Sequence, residues 1–175
     1  IMKEDGCNKR LIETEDENRM SRIFEKFVRN YYIINYNSRH IWVGTRQFGV
    51  MKTVNTIYNR SITDITIENK RNNKVVIIDT KWCKAVLNER NKLSADNQMQ
   101  IKEYVRDYME EYGNENTYIT GILLYAKPNI ELDIESIEKD YLVLGKTEYG
   151  MICTKIIDLE KEFDKIKKKL DSIFM

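Results

Sequence analysis

Two β-branched runs around a short polar link constrain this chain most: residues 62–67 (ITDITI), then 68–74 (ENKRNNK), then 75–82 (VVIIDTKW). Such residues fit a pleated surface, and an Asn-rich link between two of these runs marks a hairpin. Antiparallel partners share a constant sum of residue numbers. A turn centred between Arg71 and Asn72, the middle of the link, therefore sets Asp64 across from Asp79. Facing partners have Cβ atoms about 4.5–5.5 Å apart. Side chains alternate along a strand, so Lys81 emerges on the same face as Asp79. Two carboxylates and an ammonium converge at the end of a strand whose preceding residues, Val75, Val76, Ile77 and Ile78, are expected to be buried on both faces.

Facing carboxylates repel, and a divalent cation relieves the repulsion. Hard oxygen donors suit Mg²⁺, with Mn²⁺ as a substitute. Mg²⁺ needs only one or two carboxylates and keeps several waters, so Asp64, Asp79 and the backbone carbonyl of Thr80 form a sufficient set of donors. An ion held there can polarise a phosphodiester and acidify a bound water. Lys81, a movable point donor, suits orienting that water and stabilising charge on the phosphate. The competing reading is a surface ion pair between Asp79 and Lys81, with Asp64 at a strand edge. Such pairs are common and nearly neutral energetically. Spacing alone leaves both open.

The rest of the chain reads as α/β. A polar lead-in over 1–13 precedes a helix expected from Thr14, with Ile23, Phe24, Phe27, Val28, Tyr31 and Tyr32 on one apolar face. Short strands are expected near 41–43 and 47–51. A helix over 94–112 should end at Gly113, followed by a strand over 117–125 that stops at Lys127-Pro128. Two antiparallel strands, 141–145 and 149–157, should flank a turn at 146–148, and an amphipathic helix should close the chain over 159–174. With one proline, seven glycines and no repeat, residues 14–175 form one domain.

No apolar run approaches the roughly 18–20 residues of a membrane-spanning helix, and no secretory leader is visible, so a cytoplasmic protein without membrane partners is expected. The chain begins at Ile1 and not at a start methionine, so a piece of a longer protein is expected. Three scattered cysteines, Cys7, Cys83 and Cys153, draw neither a disulfide framework nor a zinc pair. The single histidine, His40, excludes chemistry that needs two imidazoles and reads as structural. A net charge of +1 does not announce a nucleic-acid binder, but phosphate contact needs only a local stripe. Arg22, Lys26 and Arg29 on the first helix, Arg60 before the hairpin, Lys70, Arg71 and Lys74 at its tip, and Lys84, Arg90 and Lys92 beyond it are the candidates. No zinc finger, helix-turn-helix or P-loop signature accompanies them.

At these residues the sequence resembles the PD-(D/E)xK nuclease superfamily: Asp64, then Ile77-Ile78-Asp79-Thr80-Lys81. More closely, it resembles the C-terminal nuclease domain of the McrC family, the cleaving subunit of McrBC-type 5-methylcytosine-dependent restriction systems. The words that carry this are Phe24-Glu25-Lys26-Phe27-Val28, Thr63-Asp64-Ile65, Ile78-Asp79-Thr80-Lys81-Trp82, Gln100-Ile101 with Tyr104, and Gly121-Ile122-Leu123-Leu124-Tyr125. They occur in family order over roughly residues 20–175. Thr63 stands where the superfamily has proline, and Gln98-Met99-Gln100 where McrC-like chains carry Leu-Tyr-Gln. The resemblance implies a restriction-endonuclease-like fold, a central mixed β-sheet flanked by helices. It also implies an Mg²⁺-dependent endonuclease acting on double-stranded DNA with an AAA+ GTPase subunit of the McrB type. Glu25 would be an accessory carboxylate near the metal, and Gln100 a glutamine reaching the active site. A non-catalytic DNA-binding or scaffold module of the same fold, or another PD-(D/E)xK nuclease of repair or recombination, are the alternatives.

Overall fold

The computed structural model describes residues 5–49, 61–90, 92–140, 145–147 and 150–175. The expected α/β architecture is present. The first helix, α1, spans Asp5–Tyr36, so most of the lead-in expected to be irregular is helical. Phe24, Val28, Tyr31 and Tyr32 are buried as the periodicity predicts, but Ile23 lies outside the seam and is 48% exposed.

Short strands follow: β1 (Ile41–Gly44), β2 (Gln47–Phe48), β3 (Ser61–Ile62) and β4 (Ile65–Asn69). Next come β5 (Lys74–Lys81), α2 (Ala95–Tyr112), β6 (Tyr118–Ala126) and α3 (Ile134–Asp140). The chain closes with β7 (Gly145–Thr147), β8 (Gly150–Ile157) and α4 (Phe163–Phe174). Six strands form one mixed sheet in the order β1-β4-β5-β6-β8-β7, while β2 and β3 pair separately. The β5–β6 and β6–β8 pairings are parallel, and β1–β4, β4–β5 and β7–β8 are antiparallel. A parallel pair needs a crossover, and α2 supplies the one between β5 and β6.

Alternation on the central strands divides the core in two. Val76 and Ile78 of β5 join Ile65, Ile67, Ile122, Leu124 and Cys153 under α1 and α4. Val75 and Ile77 join Ile119, Leu123, Tyr125, Ile152 and Ile156 under α2 and α3. The four consecutive residues of β5 are all within 6% of full burial, as expected of a strand covered on both faces.

Several features differ from expectation, among them the start of α4, at Phe163 and not at 159. The run 62–67 is two strands, broken at Thr63-Asp64. The last antiparallel pair turns later than 146–148, since Lys146 and Thr147 are already paired with Met151 and Gly150; residues 141–144 of the expected strand lie outside the described residues. The short α3 was not expected: seven residues are too few to show a period, although Asp133 caps it by accepting the Ser136 N–H at 3.1 Å. Helix α2 begins where predicted, with Ser94 Oγ accepting the Asn97 N–H. Gly113 ends it in extended backbone, φ −78°, so handedness does not select glycine there. Room does, because a Cβ would sit 2.7 Å from the Met109 carbonyl oxygen.

The backbone carbonyl of His40 accepts the Lys70 N–H at 2.9 Å. Cys83 and Cys153 are free thiols. Among the described residues no helix is long and apolar enough to cross a membrane.

Candidate active site

The β4–β5 ladder runs from Asn69↔Lys74 to Ile65↔Ile78, the register that the turn centre predicts. One further step brings Asp64 opposite Asp79, but the ladder stops short of it. Thr63 donates its N–H to the Arg46 carbonyl at 2.9 Å, and its Oγ1 accepts the Arg46 N–H at 2.8 Å. This exchange draws the chain away to the β2–β3 pair. The Thr80 N–H, which Thr63 would have faced, loses its backbone acceptor. Buried amides are rarely left orphaned, and the Asp64 carboxylate fills the gap: its Oδ2 accepts from the Thr80 N–H and from the Thr80 hydroxyl, each at 2.7 Å.

Asp79 and Lys81 share the parity of Val75 and Ile77, so both emerge toward α2. Asp79 is 1% exposed. The Lys81 ammonium lies 2.7 Å from Asp79 Oδ2. That ammonium is the sole close partner of this buried oxygen among the described residues. Lys81 Nζ donates to Gln100 Oε1 at 2.8 Å, and Gln100 Nε2 donates to the Tyr104 hydroxyl at 2.9 Å. Because an ammonium can only donate, the amide must present its oxygen to Lys81. Tyr104 takes the other end and holds that orientation.

Burial pushes the Asp79 carboxyl up to about 6. The Lys81 ammonium pulls it back, while the charges on Asp64 and Glu25 raise it further. Asp79 therefore titrates close to neutrality, as functional carboxylates in low-dielectric sites do.

Glu25 arrives from α1. Arg29, one turn on, donates Nη1 to Glu25 Oε1 at 2.8 Å and to the Asp64 carbonyl at 3.5 Å. Arg29, a phosphate candidate by sequence, is thus the tie between α1 and the hairpin neck. Glu25 is near enough to act on Asp79 electrostatically, yet its carboxylate is engaged by Arg29. Among the described residues no three His, Cys, Asp or Glu side chains group as a cation cage. The donors that suit Mg²⁺ are fewer: Asp79 Oδ2, the second oxygen of Asp64, and the Thr80 carbonyl. Two carboxylates meet the usual demand of that ion.

The hairpin thus brings Asp64, Asp79, Thr80 and Lys81 together, α2 adds Gln100, and α1 adds Glu25. Tyr104 and Arg29 are the participants to which sequence reasoning gave no such role. The signal for both was their spacing, each four residues from a site residue on the same helix. Of the phosphate candidates, Arg22 and Lys26 are exposed on α1. Lys84 is also exposed, 3.0 Å from Glu17, and Arg60 lies outside the described residues. A cavity of about 460 Å³ opens beside the carboxyl ends of β5, β6 and β8. Trp82, Cys83, Lys84, Lys127 and Glu160 line it; Lys84 is a phosphate candidate, but Glu25, Asp64, Asp79, Lys81 and Gln100 lie outside the lining.

Residues 18–126 match the family model described as "McrBC 5-methylcytosine restriction system component". No curated protein matches the chain significantly. A solved structure described as a "refined half-complex from tetradecameric assembly of Thermococcus gammatolerans McrB AAA+ hexamers with bound McrC" contains a chain of similar fold. Identity is 17% and the TM-score 0.57, with 89% of this chain covered. The chain spans only 33% of that relative's length. The matched segment runs from α1 through β6 and carries Glu25, Asp64, Asp79, Lys81 and Gln100. On that match this chain belongs to the family of McrBC 5-methylcytosine restriction system components.

Proposed function

We propose that this domain is an Mg²⁺-dependent endonuclease that hydrolyses phosphodiester bonds of double-stranded DNA in a cytoplasmic, 5-methylcytosine-dependent restriction system, delivered to its substrate by an AAA+ GTPase of the McrB type. The observation that carries the reading is a carboxylate, Asp79, buried at the end of the central strand and met by an ammonium, Lys81, that Gln100 also holds. A merely structural ion pair gains little from such burial.

When bound, Mg²⁺ supplies Lewis-acid polarisation of the scissile phosphate and a more acidic water. Asp79 and Asp64 would hold the ion, with the Thr80 carbonyl as a further donor. Lys81, pinned by Gln100, donates to the attacking water and then to the negative charge that builds on the phosphoryl oxygens. Its barrier to reorganisation is small, because the Gln100–Tyr104 pair already sets its position. Glu25 adds negative charge from α1. Recognition of the modified base falls to the partner, since no base-reading motif is present in this chain.

The test is cleavage of methylated DNA by the complete assembly, with Mg²⁺, GTP and the AAA+ partner. Lys81→Met should slow cleavage about 10²-fold, the usual worth of one positioned donor, with circular dichroism unchanged. Equal cutting by that variant would mean the reading is wrong.

A further inference from the structure

The residue between Asp79 and Lys81 contributes more than a carbonyl. We propose that the side chain of Thr80 is a positioning residue for the ion site: its hydroxyl, together with its own N–H, holds Asp64 Oδ2 so that the other carboxylate oxygen is the one offered to a divalent cation. The inference rests on the ion-binding reading above and deepens it.

A carboxylate at the end of a strand rotates about its terminal torsion, whose preference is broad and roughly two-fold. It can then offer either oxygen, or both, to an ion. One donor limits distance but leaves rotation. Two donors on the same oxygen, each at 2.7 Å, remove it. Both come from one residue that is 6% exposed and part of the central strand β5, so the clamp is as rigid as the sheet. The chain around Asp64 is held too: the hydroxyls of Thr63 and Thr66, on either side of it, bond each other at 2.8 Å and are buried.

Parity separates Thr80 from Asp79. Thr80 has the parity of Val76 and Ile78 and carries its hydroxyl toward α1, whereas Asp79 emerges toward α2. Thr80 can therefore fix Asp64 without crowding the Asp79 carboxylate. Partners that orient metal ligands are typically worth about 10–100-fold in affinity. Valine has the same shape and the same strand preference as threonine, so it removes the hydroxyl and little else.

The experiment is a calorimetric Mn²⁺ titration of the full chain at pH 7.5, with thermal unfolding run in parallel. Thr80→Val should weaken Mn²⁺ binding about tenfold. Thr80→Ser, which keeps the hydroxyl, should stay within about twofold of wild type, as expected for the clamp and not for methyl packing. Both variants should unfold within a few degrees of wild type. Should the valine variant not fold, Thr80→Ala against Thr80→Ser carries the same comparison. If the valine variant binds like wild type while Asp64→Asn binds poorly, the ion site stands and the clamp does not. If Asp64→Asn also binds like wild type, the ion-site reading and the role of Thr80 fall together.

Discussion

Asp79→Asn is expected to lower cleavage by about 10³-fold while making the domain harder to unfold at neutral pH. The two effects have one cause. Burial raises the Asp79 carboxyl from 3.8 to about 6, so its ionised form is disfavoured in the folded chain. The native state then binds a proton that the unfolded chain releases between pH 3.8 and about 6. Stability that is complete below the unfolded value is therefore lost as pH rises through the folded one, the reverse of a salt-bridged aspartate with a lowered pKa. Above pH 6 the cost reaches about 2–3 kcal/mol. An asparagine carries no such cost, although Lys81 must then rely on Gln100 alone. Urea unfolding at pH 7.5 should show the variant more stable by about 2 kcal/mol, with the difference gone near pH 4. A variant less stable than wild type at pH 7.5 would show that Lys81 outweighs desolvation. The same titration bears on function, because an ion needs the carboxylate. Below pH 6 the apparent Mn²⁺ affinity should fall about tenfold per pH unit in wild type.

Gly121→Val should cost about 3 kcal/mol and detach α2 from the sheet. Gly121 lies on β6 where α2 crosses it. A Cβ there would meet Val105 Cγ2 at 2.7 Å and Ile101 Cγ1 at 3.0 Å. Both side chains are fully buried and have no room to retreat, since interiors are packed like crystals. The helix has to lift. Ile101 adjoins Gln100, so the movement parts Gln100 from Lys81 and loosens the ammonium. The expected result is a lowered unfolding midpoint together with weakened cleavage. Gly121→Ala, with the Cβ alone, should show a smaller loss of both. An equally stable, fully active valine variant would mean that α2 does not sit as tightly as described.

The same reversal predicts that stability and cleavage change in opposite directions at Asp79. A buried carboxylate is a local fault that the remaining core must offset. The core does so on both faces of β5, where four consecutive apolar residues anchor the strand that ends in the site.

Some of this was legible before any coordinates. The register of the hairpin follows from the centre of its polar link, because the pairing of antiparallel strands obeys a constant sum. Parity then assigns Asp79 and Lys81 to one face. The helices α2 and α4 follow from their period and, for α2, from the glycine that ends it, while β6 follows from its largely apolar run. These are short-range properties, in which each residue's neighbours in sequence are also its determining neighbours in space. The break at Thr63-Asp64 was not legible, because nothing in ITDITI announces that Thr63 prefers the Arg46 backbone to the partner strand. That choice depends on a segment seventeen positions away in the chain, and it alone turns Asp64 from a ladder residue into a carboxylate clasped by Thr80. The engagement of Arg29 with Glu25 and the grip of Gln100 on Lys81 are of the same kind. The sequence by itself determined which chemical groups stand at the end of β5 and on which face; only the packing of α1 and α2 against that end decided which of them touch, since burial and orientation are properties of the assembled layers.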